Sequence, residues 1–486
     1  MAKLKNIIKQ LSNPDFERIY NQLVESNAEK SAYLLKYMHQ DQLSDNKIMK
    51  ELNVNNNAYY TLRSRLNQKI EEYLLEQIES PRTDLLRKVA NINEIVFTKK
   101  RTIAITTLKK LEKELLDYDL SNELMLVYKT LKKLHVNTPE YYDYSQLYNR
   151  HVAYTLDVDR VESMMAEYFK KYGMYSFSGD ETDKLELILL NKEILGICKK
   201  YPNREQFHRL YIYQSLINVY HRLFVEAEDE MLDSSVEPIE DVFNEIDKIF
   251  HQYEKDSIYF HLEVVLQFLR LEYYNHYKLY RKAENYFEEV NDSIGSLLSS
   301  YNTHTYPARF LFTKLERHFR ISNQETLYEE NLGLFHDFEA DIQNVPQYVT
   351  YVCYRAISQF YAEKYDEAIR WLNKLLNDVS LKKYPYVNLE IKLLLAILYG
   401  IVKDSDLLGQ LVNSIQRQIR ILSKETCIHV VMFIKILKVA TQSSRADREP
   451  KMRAILERLR KAIPSNNTFS LTRYLKLDDD FIRRFM

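Results

Sequence analysis

Glycine is nearly missing from this chain: there are seven in 486 residues, the first at position 173. Average usage of roughly 7% would supply about five times as many. Tight sheet hairpins and phosphate-cradling loops depend on glycine for positive φ and for close backbone approach. A chain so poor in it is predicted to be all-α, with helices joined by short turns. The apolar spacing agrees. In "NELMLVYKTLKKLH", Leu124, Val127, Tyr128, Leu131 and Leu134 fall on one stripe with lysines opposite. "EDVFNEIDKIFHQY" repeats the pattern through Val242, Ile246, Ile249 and Tyr253. No alternating run with a two-residue hairpin turn is present.

Prolines punctuate this pattern. Pro307, Pro346 and Pro385 are each 39 residues apart, and proline cannot continue a helix interior. Equal spacing points to equal units, each the size of a helical hairpin. A second ruler runs through small or apolar positions. Leu271 and Tyr274 precede Ala283 and Phe287, Ala356 precedes Ala368 and Leu372, and Ala396 and Tyr399 precede Leu408 and Val412. A small residue on a first helix, an aromatic three later and A-x3-F on a second helix resembles the tetratricopeptide repeat. The resemblance covers roughly residues 260–420. Leu271 replaces the family's usual glycine, the proline after the second helix is missing, and the units are longer than the usual ~34 residues. It implies a right-handed superhelix of stacked antiparallel helix hairpins, because one hairpin cannot bury its apolar face without a neighbour.

The resulting organisation is a helical N-terminal domain over 1–98, irregular hairpins over 99–258, tetratricopeptide-like repeats over 259–422 and a C-terminal helical cap over 423–486. Gly173 is placed to end one helix, with Ser178 to Asp183 able to cap the next. The closing segment is expected to fold back over the last hairpin.

Hydrophobic residues at 45% and charged residues at 28% suit a folded chain rather than a disordered one. A net charge of −1 gives the whole molecule no nucleic-acid signature, although its ends are basic and residues 222–256 carry 3 cations against 12 anions. Cys198, Cys353 and Cys427 match no metal or redox spacing and suit a reducing compartment. The first twenty residues lack the continuous apolar core of a signal peptide, and the longest uncharged apolar run, "LLLAILYGIV", is half the length of a membrane span. The expected setting is the cytoplasm.

No GxxxxGK[ST], GxGxxG or H-E-x-x-H occurs, so no cofactor or metal is implied. The expected function is a non-enzymatic scaffold or adaptor. By the family's pattern, Glu272, Asn275, His276, Ile357, Phe360 and Tyr361 would line a groove that takes a peptide or protein partner. The alternative is a regulator. "KIMKELNVNNNAYYTLRSRLNQKIEEYLL" (47–75) reads as a helix-turn-helix, with Asn53 at the turn and Asn56, Tyr60, Arg63, Arg65 and Lys69 facing nucleic acid. The same residues also suit a hairpin that caps the array. Finally, Arg270 and His276, six apart, loosely resemble the paired residues of HEPN-type ribonucleases. They also suit an ion-paired position on the first helix of a repeat.

Overall fold

The structure, a computed structural model, describes residues 8, 11, 13–26, 28–40, 45–54, 58–59, 61–63, 65–66, 69–70, 73, 81–204, 206–226, 237–253, 257–300, 303–334, 340–422, 427–442, 445–462 and 469–485. Among the described residues there is no strand. Two compact units result, Met1–Glu114 with Lys255–Ser257, and Leu115–Glu254 with Ile258–Met486.

The first unit holds α1 (Asn13–Glu25), α2 (Glu29–Gln40), α3 (Asp45–Glu51), α4 (Pro81–Ala90), α5 (Ile92–Thr98) and most of α6 (Arg101–Asp117). Its core gathers Ile19, Leu23, Leu34, Leu35, Ile48, Leu66 and Ile70. Tyr73 ties the far end back to α1 by donating to Asp15 Oδ1 at 3.1 Å.

The second unit begins with α7 (Ser121–Leu134), α8 (Glu140–Ser178), α9 (Glu181–Cys198), α10 (His208–Phe224) and α11 (Ile239–Gln252). It continues with α12 (Ser257–His276), α13 (Tyr280–Asp292), α14 (Ile294–Ser300), α15 (Arg309–Ile321) and α16 (Leu327–Leu334). Last come α17 (Val345–Tyr361), α18 (Tyr365–Asp378), α19 (Pro385–Ile401), α20 (Ser405–Ile421), α21 (Ile428–Gln442), α22 (Arg445–Ala462) and α23 (Asp479–Arg483). Helices pack mainly on their chain neighbours: α7 on α8, α8 on α9, α17 on α18, α19 on α20 and α21 on α22. Pro346 and Pro385 occupy the first turns of α17 and α19, where a missing N–H costs nothing. The small and apolar marks Leu271, Ala283, Ala356, Ala368, Ala396 and Leu408 are all buried.

One turn design recurs at six of these joints. Asn53, Asp119, Lys278, Ser322, Glu363 and Lys403 all have φ between 49° and 61°. In each case the next residue's N–H reaches the carbonyl five back, as in Val54 to Met49, Leu279 to Tyr274 and Asp404 to Tyr399, at 2.7–3.1 Å. This is the left-handed helix stop that usually carries glycine. Six non-glycine residues take it here, which explains how the chain manages with so little glycine. The strain it leaves is measurable. Replacing exposed Lys278 with glycine is expected to raise unfolding free energy by about 0.5–1 kcal/mol. Urea denaturation showing a loss instead would contradict the assignment.

One expectation is corrected. Gly173 does not end a helix. α8 runs on for 39 residues to a left-handed Gly179 at φ 63°, and Asp180 caps α9 by accepting from Thr182 N–H. Gly173 is instead a point of close approach, because a Cβ there would lie 3.0 Å from Tyr306 and 3.3 Å from Pro346. The adjacent-pair packing also has a longer-range element, α8. At ~1.5 Å per residue α8 spans roughly 58 Å, long enough to reach past its neighbours onto α17 and α19.

Candidate binding face and its C-terminal occupant

On α15, Arg309, Phe312, Glu316 and Phe319 recur every three or four residues and so form one stripe. Residues 469–485, with a single 3-10 turn at Thr472–Tyr474 and the short α23, lie against it. The Tyr474 ring is parallel to Phe312 at 5.3 Å and edge-on to Phe319 at 6.3 Å, while its hydroxyl donates to Glu316 at 3.3 Å. Phe469 packs between Phe312 and Phe177 of α8. Leu471, Leu475, Phe481, Ile482 and Phe485 are buried as well, each worth roughly 1.5–3 kcal/mol relative to exposure. The expected fold-back over the last hairpin therefore extends further, across α8, α15, α17 and α19.

Polar groups set the register. Glu390, on α19, accepts from Leu471 N–H at 2.8 Å and Thr472 N–H at 3.3 Å through one oxygen. Its other oxygen lies 2.6 Å from His429 Nε2 of α21. The Tyr361 hydroxyl, at the end of α17, donates to Tyr474 O at 2.9 Å and accepts from Lys476 N–H at 2.8 Å. Burial holds the Tyr361 and Tyr474 phenols well above their usual range, so both remain neutral hydrogen-bonding groups. Arg484 donates to Phe360 O at 3.2 Å and to the Tyr365 hydroxyl, and pairs with Glu363 at 3.4 Å. Gly400 admits Phe485, since a Cβ there would stand 3.1 Å from that ring.

The residues named from sequence divide on this map. Phe360 and Tyr361 are buried beneath the closing segment and Ile357 is wholly buried, so none of the three faces solvent. Glu272 is buried too, paired with Arg309 Nε at 2.9 Å and accepting from the Thr313 hydroxyl. Burial pushes its carboxyl upward, and Arg309 partly offsets this. Asn275 and His276 are half-buried at the end of α12. Arg270 is engaged elsewhere: it pairs with Asp247, donates to Phe243 O and stacks between Phe243 and Tyr286. Glu316, Phe312, Phe319 and Glu390 were not anticipated. Glu390 carried a signal, being one of only two charges between Pro385 and Val402 in a helix buried along nearly its whole length.

Of the nucleic-acid set, Asn56 and Tyr60 lie outside the described residues. Arg65 and Lys69 are exposed, and Arg63 is half-buried with its guanidinium carbon 5.7 Å from the Tyr59 ring centroid. The turn at Asn53 has the same backbone shape as five other joints, so by itself it does not distinguish a helix-turn-helix from an ordinary hairpin. Among the described residues there is no group of three or more metal-ligating side chains and no helix long and apolar enough to cross a membrane. Comparison with known proteins finds no matching family model, curated protein or solved structure.

Proposed function

We propose that the protein is a non-enzymatic interaction scaffold or adaptor. In this reading it is a tetratricopeptide-like, right-handed superhelical array whose first helices α15, α17 and α19 bind an extended peptide or protein segment. One observation carries the reading: this face holds a stretch of polypeptide, built around the single 3-10 turn Thr472–Tyr474, by its main chain through Glu390 and Tyr361. Main-chain hydrogen bonds with aromatic anchors are how peptide-recognition surfaces gain affinity and register. Three free, buried cysteines suit a reducing setting, and the cytoplasm is the proposed place of action. Selection from displayed peptides against full-length protein carrying Tyr474→Ala and Arg484→Ala, which loosen the segment already seated on the face, is the test. Binders rich in aromatic and leucine residues should be enriched and should lose about tenfold in affinity against Tyr361→Phe, a ~1.4 kcal/mol effect. Failure to enrich any peptide, or binders indifferent to Tyr361→Phe, would remove the basis for the proposal.

A further inference from the structure

We infer that residues 469–485 are a built-in, displaceable ligand of this face. The partner the face fits is a segment of another chain with the same design: leucines flanking a tyrosine or phenylalanine, a main chain able to take the same 3-10 turn, and a cation near its end. This inference rests on the reading just given and adds both its regulation and the chemistry of its partner.

Three features of the seat support it. First, its central polar contacts read main chain. Glu390 takes the N–H groups of Leu471 and Thr472, Tyr361 bridges Tyr474 O and Lys476 N–H, and Arg460 Nε of α22 donates to Leu477 O at 3.0 Å. Every peptide offers those main-chain groups; sequence enters through the buried anchors Leu471, Tyr474, Leu475, Phe481 and Phe485, through the Ser470 and Thr472 hydroxyls 3.4 and 3.5 Å from the same Glu390 oxygen, and through Arg484. Second, the helices beneath hold one another: α17 packs on α18, α19 on α20, and α18 on α19. The face therefore has support besides the segment lying on it. Third, the seat is costly to leave empty. Departure of the segment would strip the buried Glu390 of two donors and Tyr361 of both its partners, and unmet buried polar groups are strongly disfavoured. Replacement by an equivalent segment meets those needs, whereas simple opening does not. Tethering gives the internal segment an effective concentration in the ~mM range, so a free peptide competes poorly until the internal contacts weaken.

The test uses a fluorescein-labelled synthetic peptide of residues 469–485 and the full-length protein, read by fluorescence anisotropy. The protein carries Tyr474→Ala and Arg484→Ala together, changes that weaken only the internal segment. Binding at least about tenfold tighter than to the unaltered protein is expected, with the peptide's own Tyr474→Ala version about tenfold weaker. Equal binding to both proteins would overturn the internal-ligand inference while leaving the binding face standing. No binding to the altered protein, with its helical circular dichroism intact and the segment newly open to protease, would overturn the inference and the proposed function together. If the double variant does not fold, Arg484→Gln alone is read the same way, with a gain of about threefold expected and no gain contradicting the inference.

Discussion

Glu390→Ala is expected to destabilise the second unit by roughly 3–5 kcal/mol, since three buried groups lose a hydrogen-bond partner at about 1–3 kcal/mol each. Glu390 is 3% exposed. Its loss strands the Leu471 and Thr472 N–H groups on one side and the His429 ring on the other. None of these can turn to water without unseating the closing segment. Trp371, the only tryptophan, belongs to the second unit, so its fluorescence in a urea titration reports the right transition. Limited proteolysis should show cleavage within residues 469–485 of the variant under conditions that spare the unaltered protein. Glu390→Gln, which keeps an acceptor oxygen, should cost less. A loss under about 1 kcal/mol for the alanine variant would mean that the segment is held by its apolar anchors alone.

Acidification should weaken the same unit well above the carboxylate range. His151 and His221 are 1% and 2% exposed. Burial, assisted by Arg150 for His151 and by Lys184 and Lys192 for His221, pushes each down to about 4 from 6.5. A histidine that is harder to protonate folded than unfolded stabilises the fold fully above 6.5, and that contribution is lost as pH falls toward 4. Between pH 7.5 and pH 5 each histidine should therefore remove roughly 2 kcal/mol. Glu330 acts in a lower window. Burial raises its carboxyl, but hydrogen bonds from His318 and Lys314 outweigh that and hold it at about 2, so its contribution is full above 4.5 and is lost as pH falls from there toward 2. His221→Gln should flatten the pH dependence of stability by about 2 kcal/mol between pH 7.5 and pH 5, leaving the share of His151 and the likewise lowered His304. An unchanged slope would show that His221 binds protons alike in the folded and unfolded states and so contradict its lowered value.

Local chemistry made part of this fold legible. Scarce glycine excluded glycine-dependent turns and loops, and Pro346 and Pro385 mark helix starts because their ring geometry allows little else. Asn53 was legible as a turn residue, but the same left-handed joint at Lys278, Ser322, Glu363 and Lys403 was not, because none of these residue types favours that backbone. What they share is a backbone shape, fixed by the packing of the helices they join. Gly173 misled for a related reason: the space it leaves for Tyr306 belongs to tertiary structure, and no pattern within its own helix reports it. The candidate site was half legible. Phe360 and Tyr361 follow from the repeat pattern, whereas their occupant is more than a hundred residues away, and nothing local in "FSLTRYLKLDDDFIRRFM" announces where it docks.

Everything proposed for the face depends on the closing segment being seated there by its main chain. Hydrogen exchange at the amides of Leu471, Thr472 and Lys476 in the intact protein measures this directly, since these amides donate to Glu390, Glu390 and Tyr361. Protection approaching that of the amides in α17 and α19 is the expected result. Exchange at the rate of an unstructured chain would contradict the account.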